Sequence, residues 1–131
     1  MIVVSDTSPI TALLTVGVEN ILTQLFTEVV IPSAVRNELL RSHSPLPSWL
    51  RVEAVQNVAQ AKHYARTVDI GEAEAIELAL ELRADRLLID ERKGRRLASQ
   101  EGILVIGLLG VVLFIPATQP YSLCPNPARS N

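Results

Sequence analysis

Ile2-Val3-Val4-Ser5-Asp6-Thr7-Ser8-Pro9 begins with an apolar run that halts on an acid and turns at once toward a helix. Val3 and Val4 are β-branched, and an unbroken apolar run this short suits a strand covered on both faces, as in a parallel sheet. Ser8 is expected to cap the following helix, with Pro9 at its first position, where a missing N–H is harmless. Asp6 then stands at the carboxyl end of a central strand, the edge at which open α/β sheets bind ligands.

Outward from this stretch, strand and helix patterns alternate. Helices are expected over residues 9–16 and 18–26, a strand over 28–31, and a helix from Pro32 to about Arg41. A proline-containing loop, 42–47, leads to an edge strand over 52–55 and a helix over 56–66. Residues 71–83, rich in Ala, Leu and Glu, form a helix. Residues 86–89 form a buried strand ending on Asp90, followed by a charged helix over 91–100, a strand over 103–106 and an apolar helix over 108–115. Such alternation implies a parallel sheet covered by helices, an α/β fold. At 131 residues there is one domain, expected over 1–115. Four of the eight prolines fall in residues 116–131, which read as a loose, poorly ordered tail.

Composition narrows the function classes. Aromatics make up only 4% of the chain, so Leu, Ile, Val and Ala fill the interior. A net charge of −2 gives no overall signature of nucleic-acid binding, and leaves any such role to local charge. Cys124 is the single cysteine, which excludes an internal disulfide and a cysteine metal site and points to the cytoplasm. No signal peptide is expected at the N-terminus. The apolar run 103–117 is broken by Gly107, Gly110 and Pro116 and falls short of the roughly 20 residues that span a bilayer, so no membrane is expected.

Four acids are placed to meet. Asp6 and Asp90 each end a buried strand, and in a parallel sheet both emerge on one edge. Glu72 lies in the first turn of a helix that starts there, and Glu38 in the second turn of another. On a helical wheel Glu72 falls within the apolar arc, while Glu74, Glu77 and Glu81 gather on the opposite, solvated face. Each acid also has a purely structural reading. Asp6 and Asp90 suit turns or caps, Glu72 suits a capping box with Asp69, and Glu38 suits an exposed helix position. Their conjunction is harder to explain that way, since two unit charges ~4 Å apart repel by about 4 kcal/mol at an effective dielectric of ~20. A hard cation, Mg²⁺ or Mn²⁺, relieves the repulsion and can activate water against a phosphoryl group. No zinc spacing, Ser–His–Asp set, Walker loop or dinucleotide fingerprint is found.

The segments 3–9 (Val-Val-Ser-Asp-Thr-Ser-Pro), 30–39 (Val-Ile-Pro-Ser-Ala-Val-Arg-Asn-Glu-Leu), 71–76 (Gly-Glu-Ala-Glu-Ala-Ile) and 87–98 (Leu-Leu-Ile-Asp-Glu-Arg-Lys-Gly-Arg-Arg-Leu-Ala) together resemble the PIN-domain superfamily. The resemblance is to its prokaryotic VapC-like branch and runs over roughly residues 2–115. It implies a three-layer α/β/α fold and a metal-dependent endoribonuclease, commonly the toxin of a toxin–antitoxin pair, with RNA as substrate and a small antitoxin protein as partner. The family's acids carry over to Asp6, Glu38 and Asp90. An acid eighteen residues before the last one selects Glu72, where Asp is more usual, and Glu74 is the substitute. Relatives usually continue into charged helical sequence where this chain has its proline-rich tail, which leaves a homodimer and partner binding open.

Arg92, Lys93 and Arg96 follow Asp90 closely enough to grip phosphates and, with Ser8, make up the expected substrate-binding set. The alternative is a solvated helix with pairs such as Glu91–Arg95, worth only ~0.3–0.5 kcal/mol. Two other functions compete. One is a catalytically weak PIN-like module that binds RNA or a partner. The other is a phosphoacceptor switch, disfavoured because adjacent acids after the first strand and a late strand-ending lysine are absent.

Overall fold

Val3 and Val4 point to opposite faces of one strand and both are fully buried, so the sheet needs cover on each side. In the computed structural model, which describes residues 1–18 and 20–118, this strand is β1 (Ile2–Ser5). It lies between β2 (Glu28–Ile31) and β4 (Arg86–Leu88), with β3 (Leu50–Val52) outside β2 and β5 (Val105–Ile106) outside β4. Every pairing is parallel; Val4, for example, faces Val30 on one side and Leu87 on the other.

Alternation along the strands sorts the core into two layers. Val3, Val29, Ile31 and Leu88 pack against α1 (Thr7–Val16), α2 (Asn20–Leu25), α3 (Ser33–Leu40) and α7 (Leu108–Thr118) through Ile10, Leu13, Leu22, Val35, Leu39 and Val111. Val4, Val30, Leu87 and Ile89 pack against α4 (Val58–Tyr64), α5 (Ile70–Leu82) and α6 (Arg92–Gln100). Each fully buried Val, Leu or Ile contributes about 1.5–3 kcal/mol. The result is the expected three-layer α/β/α fold with a parallel central sheet. Among the described residues no helix is long and apolar enough to cross a membrane.

Several local expectations are corrected. Ser8 does not cap α1: the N-cap is Asp6, the helix starts at Thr7, and Ser8 is exposed while Pro9 is buried. The edge strand begins at Leu50 rather than Val52. The β-branched Val52 and Val55 suggested the later start. The register is instead set by Leu50, buried opposite Val29, and by Arg51, which pairs with Glu28 at 2.8 Å and also with Glu53.

The second face of α5 is not solvated. Glu77 is only 6% exposed, beneath α4, and burial followed by its hydrogen bond with Glu81 pushes its carboxyl up to about 7. Glu81 accepts the N–H groups of Gln56 and Asn57, both at 2.9 Å, and so ties down the approach to α4. Glu74 accepts the Ala34 N–H at 3.0 Å and satisfies a free donor in the first turn of α3. The last helix continues to Thr118, three residues past the expected end of the domain. The remainder of the proline-rich tail, residues 119–131, lies outside the described residues.

α5 ends in a turn in which Arg83 N–H reaches the Leu80 carbonyl at 3.3 Å and Ala84 N–H the Ala79 carbonyl at 3.0 Å. That pattern puts Arg83 in the left-handed region, φ 51°, where glycine is the favoured residue. Arg83→Gly is expected to stabilise the chain by up to about 1 kcal/mol, since relief of the left-handed strain exceeds the entropy that glycine adds to the unfolded state. Urea unfolding checks this; a lower midpoint in the variant contradicts it.

Candidate functional site

In a parallel sheet all strands finish at one edge, and the helices that follow them begin there. Asp6 follows β1 directly, its N–H bound to the Leu88 carbonyl at 3.0 Å, so its backbone is fixed by the sheet. Asp90 comes two residues after β4. Glu72 sits in the first turn of α5, and Glu38 projects from α3. All four expected acids line a single cavity of about 590 Å³, with Asp69, Glu91, Thr7 and Ser8 also on its walls. Glu74 is absent from that lining. Arg92, Lys93 and Arg96 are exposed on α6 and lie outside it.

Each acid is held by a specific contact. Thr7 Oγ1 donates to Glu38 Oε1 at 2.5 Å. Glu72 and Asp69 form a capping box: the Glu72 N–H donates to Asp69 Oδ1 at 2.8 Å, and the Asp69 N–H to Glu72 Oε1 at 3.3 Å. The structural reading of Glu72 and its place on the cavity wall are therefore both true. Asp90 Oδ1 accepts the Leu108 N–H at 2.8 Å, satisfying a free donor at the start of α7.

Three glycines make room for these side chains. A Cβ on Gly71 would lie 2.7 Å from Glu38 Oε1 and 3.5 Å from both Asp6 Oδ1 and Asp69 Oδ1. One on Gly94 would lie 3.5 Å from the Glu72 carboxyl carbon, besides meeting Ile89 at 2.6 Å. One on Gly107 would lie 2.9 Å from Asp90 Oδ1 and 2.7 Å from Arg95 Nη1. Arg95 is half-buried here, donating to the Ile89 carbonyl at 3.1 Å.

Asp6 and Glu72 are each only 5% exposed, and among the described residues the only ion pairs are those of Arg51 with Glu28 and Glu53. Burial pushes the Asp6 carboxyl up from 3.8 to about 6, against a hydrogen bond from the Thr7 N–H, and the charges of Asp69, Glu38 and Asp90 raise it further. Burial likewise pushes Glu72 from 4.5 to about 7, helped by the charges of Asp69 and Asp6.

Among the described residues no three His, Cys, Asp or Glu side chains are drawn together tightly enough to enclose a metal ion as they stand. The donor chemistry nonetheless fits a hard cation. The acids supply only carboxylate oxygen, and oxygens of Asp6, Glu38 and Asp69 converge on the bare face of Gly71, where a side chain would press on Glu38. Mg²⁺ needs few protein ligands because it retains several waters.

The family model described as PIN domain (DUF3368) matches residues 2–119. The chain belongs to the PIN-domain family. No curated protein matches it. The PIN fold is a nuclease fold, and the acids lie where its sheet geometry predicts. Sequence reasoning treated Asp69 only as a cap and passed over Glu91 and Thr7 as wall residues. The available signal was position: Asp69 immediately precedes the helix that carries Glu72, Glu91 follows Asp90, and Thr7 follows Asp6.

The folded state of this PIN domain retains protons on Asp6 and Glu72 that the unfolded chain releases near pH 4, so the unfolded state binds fewer protons over this interval and stability falls with rising pH. Their contribution is complete below about pH 4 and is lost as pH climbs through about 6 and 7. In chelator, Asp6→Asn is expected to melt progressively higher than the parent chain as pH rises over that interval. A thermal melt series checks this; a difference that shrinks with pH contradicts it.

Proposed function

We propose that this PIN domain is a metal-dependent endoribonuclease of the VapC-like branch, acting as the toxin of a toxin–antitoxin pair in the cytoplasm. One observation carries the reading: two acids more than nine-tenths buried, Asp6 and Glu72, face a cavity walled by further carboxylates, with no ion-pair partner among the described residues. Buried acids without counter-charge are costly, and such an arrangement in a folded chain makes sense where a cation completes it.

Asp6, Glu38, Glu72 and Asp90 would hold Mg²⁺ or Mn²⁺. A bound ion of this kind lowers the pKa of water and offsets charge on a phosphodiester under attack. The chain's own residues do the positioning. Thr7 steadies the oxygen of Glu38 that faces Gly71, the Leu108 N–H orients Asp90, and the sheet fixes Asp6. Ser8, on the cavity wall, and Arg92, Lys93 and Arg96, exposed on the helix that starts after Glu91, serve the RNA backbone. A small antitoxin protein is the expected partner, and a homodimer is an open assembly.

RNA cleavage in Mn²⁺ is expected to fall to the level of a chelator control in Asp6→Asn, as read on gels of end-labelled RNA. Binding of RNA without cleavage by the parent chain would instead make it a binding module. Replacing Arg92, Lys93 and Arg96 by Ala is expected to weaken RNA binding and to flatten the slope of log affinity against log salt by about 0.7 for each lost phosphate contact. Filter binding across a salt series measures it, and an unchanged slope would remove these side chains from the interface.

A further inference from the structure

The strands of a parallel sheet all start at the edge opposite the acids. There the turn from α5 into β4 and the turn from α6 into β5 border a second cavity, of about 390 Å³. Leu80, Ile103 and Leu104 give it an apolar wall, with Leu104 61% exposed, and its charged residues are Arg83, Asp85 and Arg86. Asp85 is already engaged, since its Oδ2 accepts the Ile2 N–H at 2.6 Å. The half-buried Arg86 gives Nη1 to the Asp85 carbonyl at 2.8 Å, which leaves the rest of its fork uncommitted among the described residues. The exposed Arg83 makes no side-chain hydrogen bond, and neither arginine has an ion pair, among the described residues.

Arg83 is also the one non-glycine residue with positive φ among the described residues, at 51°. Glycine would close α5 at lower cost, and no hydrogen bond or ion pair of the Arg83 side chain within the fold offsets the strain. Strain kept without a structural return points to a role outside stability. The ordinary explanation is a cation that answers the free carbonyls at a helix C-terminus. Here the Ala79 and Leu80 carbonyls already receive the Ala84 and Arg83 N–H groups, and the Arg83 side chain donates to no carbonyl among the described residues.

Guanidinium forks match phosphate oxygens in geometry as well as charge. Two forks can engage more oxygens than a phosphodiester leaves free, which favours a terminal phosphate. The volume falls within the roughly 300–1,000 Å³ of small-molecule sites.

We infer that this cavity binds a small phosphate monoester of nucleotide size, its phosphate held by Arg83 and Arg86 and its organic part resting on Leu80 and Leu104. The site lies at the opposite end of the strands from the acidic cavity and does not depend on the nuclease reading.

Adenosine 5′-monophosphate and inorganic phosphate are titrated calorimetrically into the full chain, in chelator so that no cation can recruit them to the acidic edge. The nucleotide is expected to bind at least about 5-fold more tightly than inorganic phosphate, because only it covers the apolar wall. Arg83→Gly is expected to bind the nucleotide at least about 10-fold more weakly although its urea midpoint does not fall, so that lost affinity and lost folding are separated. Arg86→Gln is expected to show a loss of similar size. Arg41→Gln, which removes an exposed charge outside this cavity, is expected to bind as the parent does. No nucleotide binding by the parent, unchanged affinity in either cavity variant, or an equal loss in Arg41→Gln would overturn the inference. Equal affinity for nucleotide and inorganic phosphate would overturn the monoester assignment. None of these outcomes bears on RNA cleavage in Mn²⁺, which tests the acidic edge separately.

Discussion

Like charges held out of water at one edge of a parallel sheet are the constraint around which this molecule is arranged. The carboxylates repel one another and two are almost fully buried, so nothing in their own interaction brings them together. Packing does. β1 is hydrogen-bonded on both sides, its valines fill both core layers, and Asp6 follows with no intervening loop. Hydrophobic burial elsewhere in the domain thus supplies the free energy that holds the acids where solvent would otherwise separate them.

Around that edge the backbone replaces missing cations. The Leu108, Glu72 and Asp69 N–H groups and the Thr7 hydroxyl each donate to an acid on the cavity wall. Donors at helix starts are unsatisfied within their own helices, so the acids meet that need while being partly stabilised by it. The glycines at 71, 94 and 107 are the steric counterpart, since each stands where a methyl group would press on a carboxyl group or the chain that holds it.

Much of this was legible in the sequence. The strands carrying Asp6 and Asp90 announce themselves as short apolar runs stopped by an acid, and the wheel of α5 separates Glu72 from Glu74 by direction alone. What periodicity could not reveal was what lies on the other side of a helix. Glu77 and Glu81 share a polar face in sequence, yet α4 and the segment before it fold back over that face and turn both acids into buried or tethering groups. The start of β3 depended on register against β2, a long-range quantity that local β-propensity does not carry. Ser8 lost the cap to Asp6 because sheet pairing runs to the Asp6 N–H and the helix follows at once, starting at Thr7, two residues ahead of Pro9. Asp69 had one visible role in the sequence, and its nearness to Gly71, Glu38 and Asp6 exists only once α3 and α5 are packed together.

The hydrogen bond from the Leu108 N–H to Asp90 ties two distinct duties to a single side chain. Asp90 lines the acidic cavity, and its Oδ1 also anchors the first turn of the final helix, which shows Leu109, Val112 and Leu113 to solvent. Whatever draws electron density from that carboxylate loosens the helix's mooring, and whatever shifts the helix tugs on the acid. Chemistry at the sheet edge and contacts made by an oily surface on the first turns of the same helix thereby become mechanically answerable to each other.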